Sequence, residues 1–262
     1  MHGRVLIVAG SDSGGGAGIQ ADIKTVTALD GYAATAITAL TAQDTIGVHA
    51  IFPVDTNFIV QQIEVVLDDI GADCIKTGMR HSVEVIGRVA DMLAEKASAI
   101  PVVVDPVMVA KGGTRLLEED AVGAVIEHMI PGATLVTPNA PEAAALTGLE
   151  VTDPKSQRRA GDNLIEMGAQ AALIKGGHLE GNEIRDLLVT AAGETVFTAP
   201  RIDTKNTHGT GCTFASAIAT GIAQGMALDH AVDRAHKYVA AAIAAAPDIG
   251  SGHGPLNHAV HF

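Results

Sequence analysis

Val5-Leu6-Ile7-Val8-Ala9-Gly10-Ser11-Asp12-Ser13-Gly14-Gly15-Gly16-Ala17-Gly18-Ile19 passes from an unbroken aliphatic run into a glycine-rich turn and then into a helical period. The run Val5 to Ala9 predicts a buried strand, and Gly10 to Gly16 a turn. Ile19 to Leu29 predicts a helix with Ile19, Ile23, Val26 and Leu29 at core spacing. Strand, turn and helix in that order begin a βαβ unit, and the same alternation recurs outward along the chain. After the turn at Asp30-Gly31, Ala34 to Leu40 and Val48 to Phe52 read as strands. Asp55 then caps a helix carrying Phe58, Ile59, Ile63, Val66 and Leu67. Ile75-Lys76-Thr77 returns to the sheet and Ser82 caps the next helix. Val102 to Val104 ends at Asp105, Leu135-Val136-Thr137 leads to Asn139, and Ala171 to Ile174 ends at Lys175. Ligands of open α/β sheets sit outside the carboxyl ends of the strands, so Asp105, Asn139 and Lys175 are expected at a site. Arg185 to Val189 and Thr195 to Phe197, around Gly193 and Glu194, predict an antiparallel hairpin at the sheet edge. Two helices follow, one from Thr210 through Phe214, Ile218 and Ile222, the other from Asp229 through Val232, Val239 and Ile243. With no internal repeat and no linker, residues 1–262 read as a single doubly wound α/β domain.

Composition narrows the function. A 262-residue chain that is 47% hydrophobic fills a sizeable core. Seventeen Lys and Arg against thirty acids leave a net charge of −13, which argues against nucleic acid or an anionic membrane surface as partner and makes any phosphate site a local one. Two cysteines are no disulfide framework, so free thiols in the cytoplasm are expected. The N-terminal apolar run is too short for a signal peptide, and no run approaches the roughly 18 residues of a membrane span.

The strongest chemical signal is Asn206-Thr207-His208-Gly209-Thr210-Gly211-Cys212, small residues opening directly into an apolar-periodic helix. Glycines let a ligand approach the backbone, and first-turn N–H groups with the helix dipole favour an anion. A plain glycine turn before a helix gives the same pattern. Cys212, at the helix start, is expected to have a lowered thiol pKa and to take a proton from a substrate hydroxyl; its bland alternative is a small buried hydrophobe. Burial is the reading for Cys74, beside an apolar strand with no cation near it. Gly10 to Gly18 contains neither a GxGxxG fingerprint with its later acid nor the Gly-Lys-Ser/Thr ending of a P-loop, so no NAD or Walker-type site is expected. Asp22 either accepts hydrogen bonds from a polar substrate or complements a helix dipole. Asn139-Ala140-Pro141-Glu142 puts an amide and a carboxylate at i and i+3. With Asp105 they form an oxygen set suited to Mg²⁺, or alternatively a capping box. Lys175-Gly176-Gly177-His178 sets a cation beside permissive backbone, suited to phosphate charge. His253, His258 and His261 lack the spacing of a zinc motif.

Gly18-Ile19-Gln20-Ala21-Asp22, Thr38-Ala39-Leu40-Thr41-Ala42-Gln43, Asp105-Pro106-Val107-Met108, Asn139 to Glu142, Lys175 to His178 and Thr207 to Cys212 follow one another in the order seen in hydroxymethylpyrimidine/phosphomethylpyrimidine kinases. The chain resembles that family over nearly its whole length. The resemblance implies a ribokinase-like, three-layer α/β/α fold with a mainly parallel sheet and an antiparallel edge hairpin. It also implies two successive phosphorylations with ATP and Mg²⁺, of 4-amino-5-hydroxymethyl-2-methylpyrimidine and of its monophosphate, in thiamine biosynthesis. On the same ground Gln43 reads the pyrimidine edge, Asp22 and the Gly10 backbone contact substrate, and Met79 and Val107 are apolar walls. Gly209, Thr210 and Gly211 form the anion hole, and Lys175 pairs with ATP phosphates. Asn139, Thr207 and Gly211 join in nucleotide binding, and Asp105, Asn139 and Glu142 organise Mg²⁺. Cys212 stands where sugar kinases of the superfamily carry an aspartate base. A homodimer is implied. Gly10 to Gly18 or the Lys111-Gly112-Gly113 turn suits a moving flap. Pyridoxal kinase is the nearest alternative on this scaffold, with Gln43 and Met79 favouring the pyrimidine. A non-catalytic precursor-binding regulator would call for a broken anion hole or a missing lysine, and the sequence has neither defect.

Overall fold

Val5, Ile7 and Ala9 of strand β1 (Arg4–Asp12) enter one hydrophobic core, while Leu6 and Val8 enter another. The two-residue period of a strand thus supplies two cores at once, which is why the run is apolar without interruption. The protein is represented by a computed structural model that describes residues 2–110, 113–114, 116–118, 120–179 and 181–260. Among the described residues β1 belongs to a sheet with β2 (Tyr32–Gln43), β3 (Val48–Pro53), β4 (Cys74–Thr77), β5 (Val102–Val104), β6 (Leu135–Val136), β7 (Ala171–Ile174), β8 (Glu183–Thr190) and β9 (Gly193–Pro200). The spatial order is β3-β2-β1-β4-β5-β6-β7-β8-β9. From β2 to β7 neighbours run parallel, and β8 and β9 are the expected antiparallel hairpin. β3 is antiparallel to β2, so both edges of the sheet, not one, carry a reversed strand. Asp44 to Gly47 is too short for a parallel crossover and forces that return. β2 also runs past its expected end at Leu40, which brings Gln43 into the last position of the strand.

Helices α1 (Gly18–Ala28), α7 (Thr210–Ala223) and α8 (Leu228–Ala244) cover one face. The other face is covered by α2 (Thr56–Asp69), α3 (Val83–Lys96), α4 (Ala121–Ala124) with the π-helical turn Val125–Met129, α5 (Ala140–Thr147) and α6 (Pro154–Glu166). This is the three-layer α/β/α arrangement. The expected caps are in place: Asp55 accepts from the N–H groups of Asn57 and Phe58, and Ser82 from Val85. α7 is buried from Thr213 to Gly221, wedged between the sheet and α8, and only small and β-branched residues with one phenylalanine fit that slot. Its N-terminus is thereby held over the carboxyl ends of the parallel strands, the edge from which Asp105, Asn139 and Lys175 project.

Candidate active site

Gly209 is the N-cap of α7 with φ of 83°, and no side chain caps the helix; the Thr210 N–H turns back to the Thr207 carbonyl at 3.3 Å, which leaves the following first-turn N–H groups to receive an anion. Only glycine fits: a Cβ at position 209 would overlap the Gly16 carbonyl. The hydroxyl of Thr210 donates back to the Thr207 carbonyl at 2.8 Å, closing the loop on itself. A Cβ placed on Gly211 would lie 3.4 Å from Lys175 Nζ and 3.9 Å from Asp105 Oδ2, so helix terminus, cation and carboxylate converge on one point. Lys175 Nζ is 3.5 Å from Asp105 Oδ1. Burial would lower the Lys175 pKa, but the charges of Asp105 and Glu142 hold it above the usual lysine range.

Asp105 Oδ2 is buried and has no hydrogen-bond partner. An orphaned carboxylate oxygen beside a phosphate cradle fits a hard cation, whereas no group of three His, Cys, Asp or Glu among the described residues is arranged as a complete metal cage. Magnesium takes few protein ligands and keeps water and phosphate oxygens, so the residues present fit it. Both readings of Asn139 to Glu142 meet here. Asn139 Oδ1 accepts from Glu142 N at 2.9 Å and Glu142 Oε2 from Asn139 N at 2.8 Å, a capping box that engages the Asn139 oxygen expected on the metal. Burial, reinforced by Asp105, pushes the Glu142 carboxyl up to about 7 against the opposing charge of Lys175.

Asp22 is engaged within the protein: its side chain has no solvent exposure, both oxygens lie 2.9 Å from Lys76 Nζ, and Oδ1 also accepts from Ser216 Oγ at 2.7 Å. The carboxylate near the start of α1 thus points inward to Lys76 on β4, and the two charges are buried as a pair. One expectation is corrected. Cys212 was expected to have a lowered thiol pKa. Burial instead pushes it up to about 12, with Asp22 and Asp105 adding to the rise and Lys76 and the Gly18 N–H opposing it. The residue as a whole is half-buried. Cys74 is buried, as read.

Gly10 lies against Met79, whose Sδ would be 3.0 Å from a Cβ at that position. Met79 packs with Ala39 and Leu116, and Val107 joins them, so the expected apolar wall is assembled. Gln43 reaches the same region from β2, its amide between Thr41 Oγ1 at 3.0 Å and His208 Nε2 at 3.4 Å. Gly10 to Gly18, one of the two segments read as a flap, is tied down at many points. Asp12 accepts from Gly14, Gly16 and Ala17 N–H groups and from His208, Ser13 exchanges two hydrogen bonds with the Gln43 backbone, and Lys24 holds the Gly15 carbonyl. Lys111 and Gly112 of the other flap expectation, and His261, lie outside the described residues.

Sequence reasoning missed Lys76, Arg80, Asp12 and His208. Lys76 had a legible signal, a lysine inside an otherwise apolar strand, and so did the charge of Arg80 just past that strand. Arg80 is buried, donates to Thr77 Oγ1, and is lowered by that burial to about 10, with Asp105 opposing. Asp12 and His208 stood inside glycine motifs and were passed over as context.

The fold and this cradle define a ribokinase-like small-molecule kinase. A family model described as phosphomethylpyrimidine kinase matches residues 12–257. The chain is 46% identical over 256 residues to the hydroxymethylpyrimidine/phosphomethylpyrimidine kinase of Bacillus subtilis, covering 97% of this chain and 94% of that protein. It is 53% identical over 257 residues to the thiamine biosynthesis bifunctional protein ThiED of Geobacter sulfurreducens, covering 98% of this chain but spanning only 52% of that longer protein. Among solved structures, the pyridoxal kinase of Staphylococcus aureus in complex with AMP-PCP and pyridoxal superposes with a TM-score of 0.90 at 34% identity, over 99% of this chain and 94% of that one. The chain belongs to the phosphomethylpyrimidine kinase family.

Proposed function

We propose that this chain transfers the terminal phosphoryl group of ATP to the hydroxymethyl oxygen of 4-amino-5-hydroxymethyl-2-methylpyrimidine, and then phosphorylates the monophosphate to the diphosphate used in thiamine biosynthesis. The observation that carries the proposal is the convergence of the α7 N-terminus, Lys175 Nζ and Asp105 Oδ2 around Gly211. Phosphoryl transfer asks a protein mainly for positioning and for stabilisation of spreading charge, and this convergence supplies both.

In this reading the N–H groups around Gly209, Thr210 and Gly211 receive the phosphoryl group in flight, and Lys175 spreads its charge. Thr207 and Asn139 flank the nucleotide phosphates. Mg²⁺, when bound, neutralises phosphate charge. Asp105 and Glu142 are the carboxylates that hold it, directly or through water, while Asn139 acts chiefly by orienting Glu142. Gln43, the Gly10 backbone, Met79 and Val107 hold the pyrimidine, with Asp22 acting from beneath through Lys76. Cys212 acts as base only as the thiolate: it gives up its own proton to solvent first, a loss that burial opposes and Lys76 with the Gly18 N–H favours, and the sulfur then accepts the hydroxyl proton late in a loose transfer. We place the protein in the cytoplasm as a homodimer. Among the described residues no helix is long and apolar enough to cross a membrane.

Pyridoxal is the competing acceptor, favoured by the likeness to the Staphylococcus aureus enzyme. A purely regulatory binding role is disfavoured by the intact cradle and lysine. Incubation with Mg·ATP and, separately, hydroxymethylpyrimidine, its monophosphate and pyridoxal, with product detection, tests the proposal. Turnover of both pyrimidines with little on pyridoxal is expected. Turnover of pyridoxal alone overturns the substrate assignment, and no turnover at all overturns the enzymatic one. Cys212→Ala is expected to lower kcat, and full turnover with an unchanged pH profile removes the thiol from the proton path.

A further inference from the structure

We propose that His208 is a positioning residue that sets which way round the Gln43 amide faces the substrate, and so selects an aminopyrimidine edge. The proposal deepens the substrate site proposed above and rests on it. His208 is 8% exposed, and its Nε2 lies 2.8 Å from Asp12 Oδ2. Asp12 is buried, yet hydrogen bonds from His208, Ala17 and Gly14 keep its carboxyl below the ordinary range, so it is ionised and can only accept. Nε2 of His208 therefore carries a hydrogen whether the ring is neutral or charged.

One end of the Gln43 amide, its nitrogen as placed, lies 3.4 Å from His208 Nε2, and the other lies 3.0 Å from Thr41 Oγ1. Thr41 has a single hydroxyl hydrogen, and the Ser11 carbonyl, which can only accept, is also 3.0 Å from Oγ1. With that hydrogen on Ser11, Thr41 offers Gln43 a lone pair. Both neighbours then select the same orientation, carbonyl oxygen toward His208 and amide nitrogen toward Thr41. As placed, the amide nitrogen faces His208 and sets donor against donor. Exchanging the two ends, which have the same outline, removes that clash: the single Nε2 hydrogen stays chiefly on Asp12 at 2.8 Å and is shared with the Gln43 carbonyl 3.4 Å from the nitrogen.

In the selected orientation Gln43 retains one N–H and one carbonyl lone pair. A ring nitrogen beside an exocyclic amine offers the matching acceptor and donor, and pyridoxal has no such amine. The imidazole cannot drift from this post: its backbone N–H donates to the Gly254 carbonyl at 3.1 Å, and Gly16 packs so closely on the ring that a Cβ there would overlap Cδ2. Because Gly209 follows it directly, His208 also joins base recognition to the phosphoryl cradle.

Steady-state kinetics with hydroxymethylpyrimidine and its analogue lacking the 4-amino group test the proposal. His208→Leu is expected to raise the pyrimidine KM about tenfold, the size of one hydrogen bond, and to reduce the preference for the amino compound by a similar factor. The KM for ATP is expected to stay within about twofold, because nothing at the nucleotide changes. His208→Gln, whose amide N–H reaches the same position, is expected to restore the preference. Asp12→Asn, which can donate to Nε2 and turn it into an acceptor, is expected to lose the preference even if His208→Leu fails to fold. An undiminished preference in His208→Leu or Asp12→Asn, or equal changes in the KM for ATP and pyrimidine, overturns the positioning role. Gln43→Ala with wild-type KM and preference overturns the underlying substrate site instead.

Discussion

Lys76 and Asp22 show how much a single buried pair decides. Each side chain has no exposure, and the ammonium is held above the usual lysine range because the charge of Asp22, with Asp105 behind it, outweighs the burial that would lower it. Removing one partner strands a charge in the core, so Lys76→Met is expected to destabilise the fold by about 3–5 kcal/mol in urea denaturation. Lys76→Met with Asp22→Leu is expected to recover most of that, since neither charge remains. A single-variant cost below about 1 kcal/mol contradicts the ion pair as a structural element. The pair was only half legible in sequence. Each residue is conspicuous in its own segment, but nothing in the spacing from 22 to 76 says that the two meet, and Asp22 in isolation reads as a substrate ligand.

At the scale of elements, the segment after α8 ties the two last helices together. His258 Nε2 lies 3.0 Å from Thr213 Oγ1 on α7, and the His258 carbonyl accepts from the Tyr238 hydroxyl on α8 at 2.8 Å. The ring is buried, and that burial, helped by the charge of Lys24, lowers its pKa from 6.5 to about 4. Between those values the unfolded chain takes up a proton that the folded protein refuses. Stability from this group is therefore complete above about pH 6.5, is lost as pH falls toward 4, and changes no further below it. The loss is at most about 3 kcal/mol. Urea midpoints at pH 7 and pH 4.5 are expected to converge in His258→Gln relative to the parent protein, and an unchanged difference means that other groups dominate the acid limb. In sequence these late histidines posed only a metal question, which their spacing answered in the negative; the docking of His258 depends on where α7 and α8 lie.

For the whole molecule, the net charge of −13 surrounds the proposed phosphate site, which is built from one lysine and a helix terminus. Mg·ATP is itself anionic, so its approach is opposed at long range and favoured only at contact. Raising ionic strength from about 20 to 200 mM is expected to leave kcat/KM for ATP unchanged or to raise it about twofold, a range set by Debye screening. A steep fall with salt contradicts that balance. Strand and helix order, the polar residues at the strand ends and the glycine turn before α7 were legible in the sequence alone, because hydrophobic period, turn chemistry and helix-terminus electrostatics act within a few residues. Tertiary structure alone decided that Asp22 turns inward to Lys76, that the Cys212 thiol is raised and not lowered, and that Asp12, His208 and Gln43 meet. Each of these depends on burial or on contacts between residues far apart in the chain, and a pKa or a hydrogen-bond partner follows from the surroundings that packing creates, which no local pattern encodes.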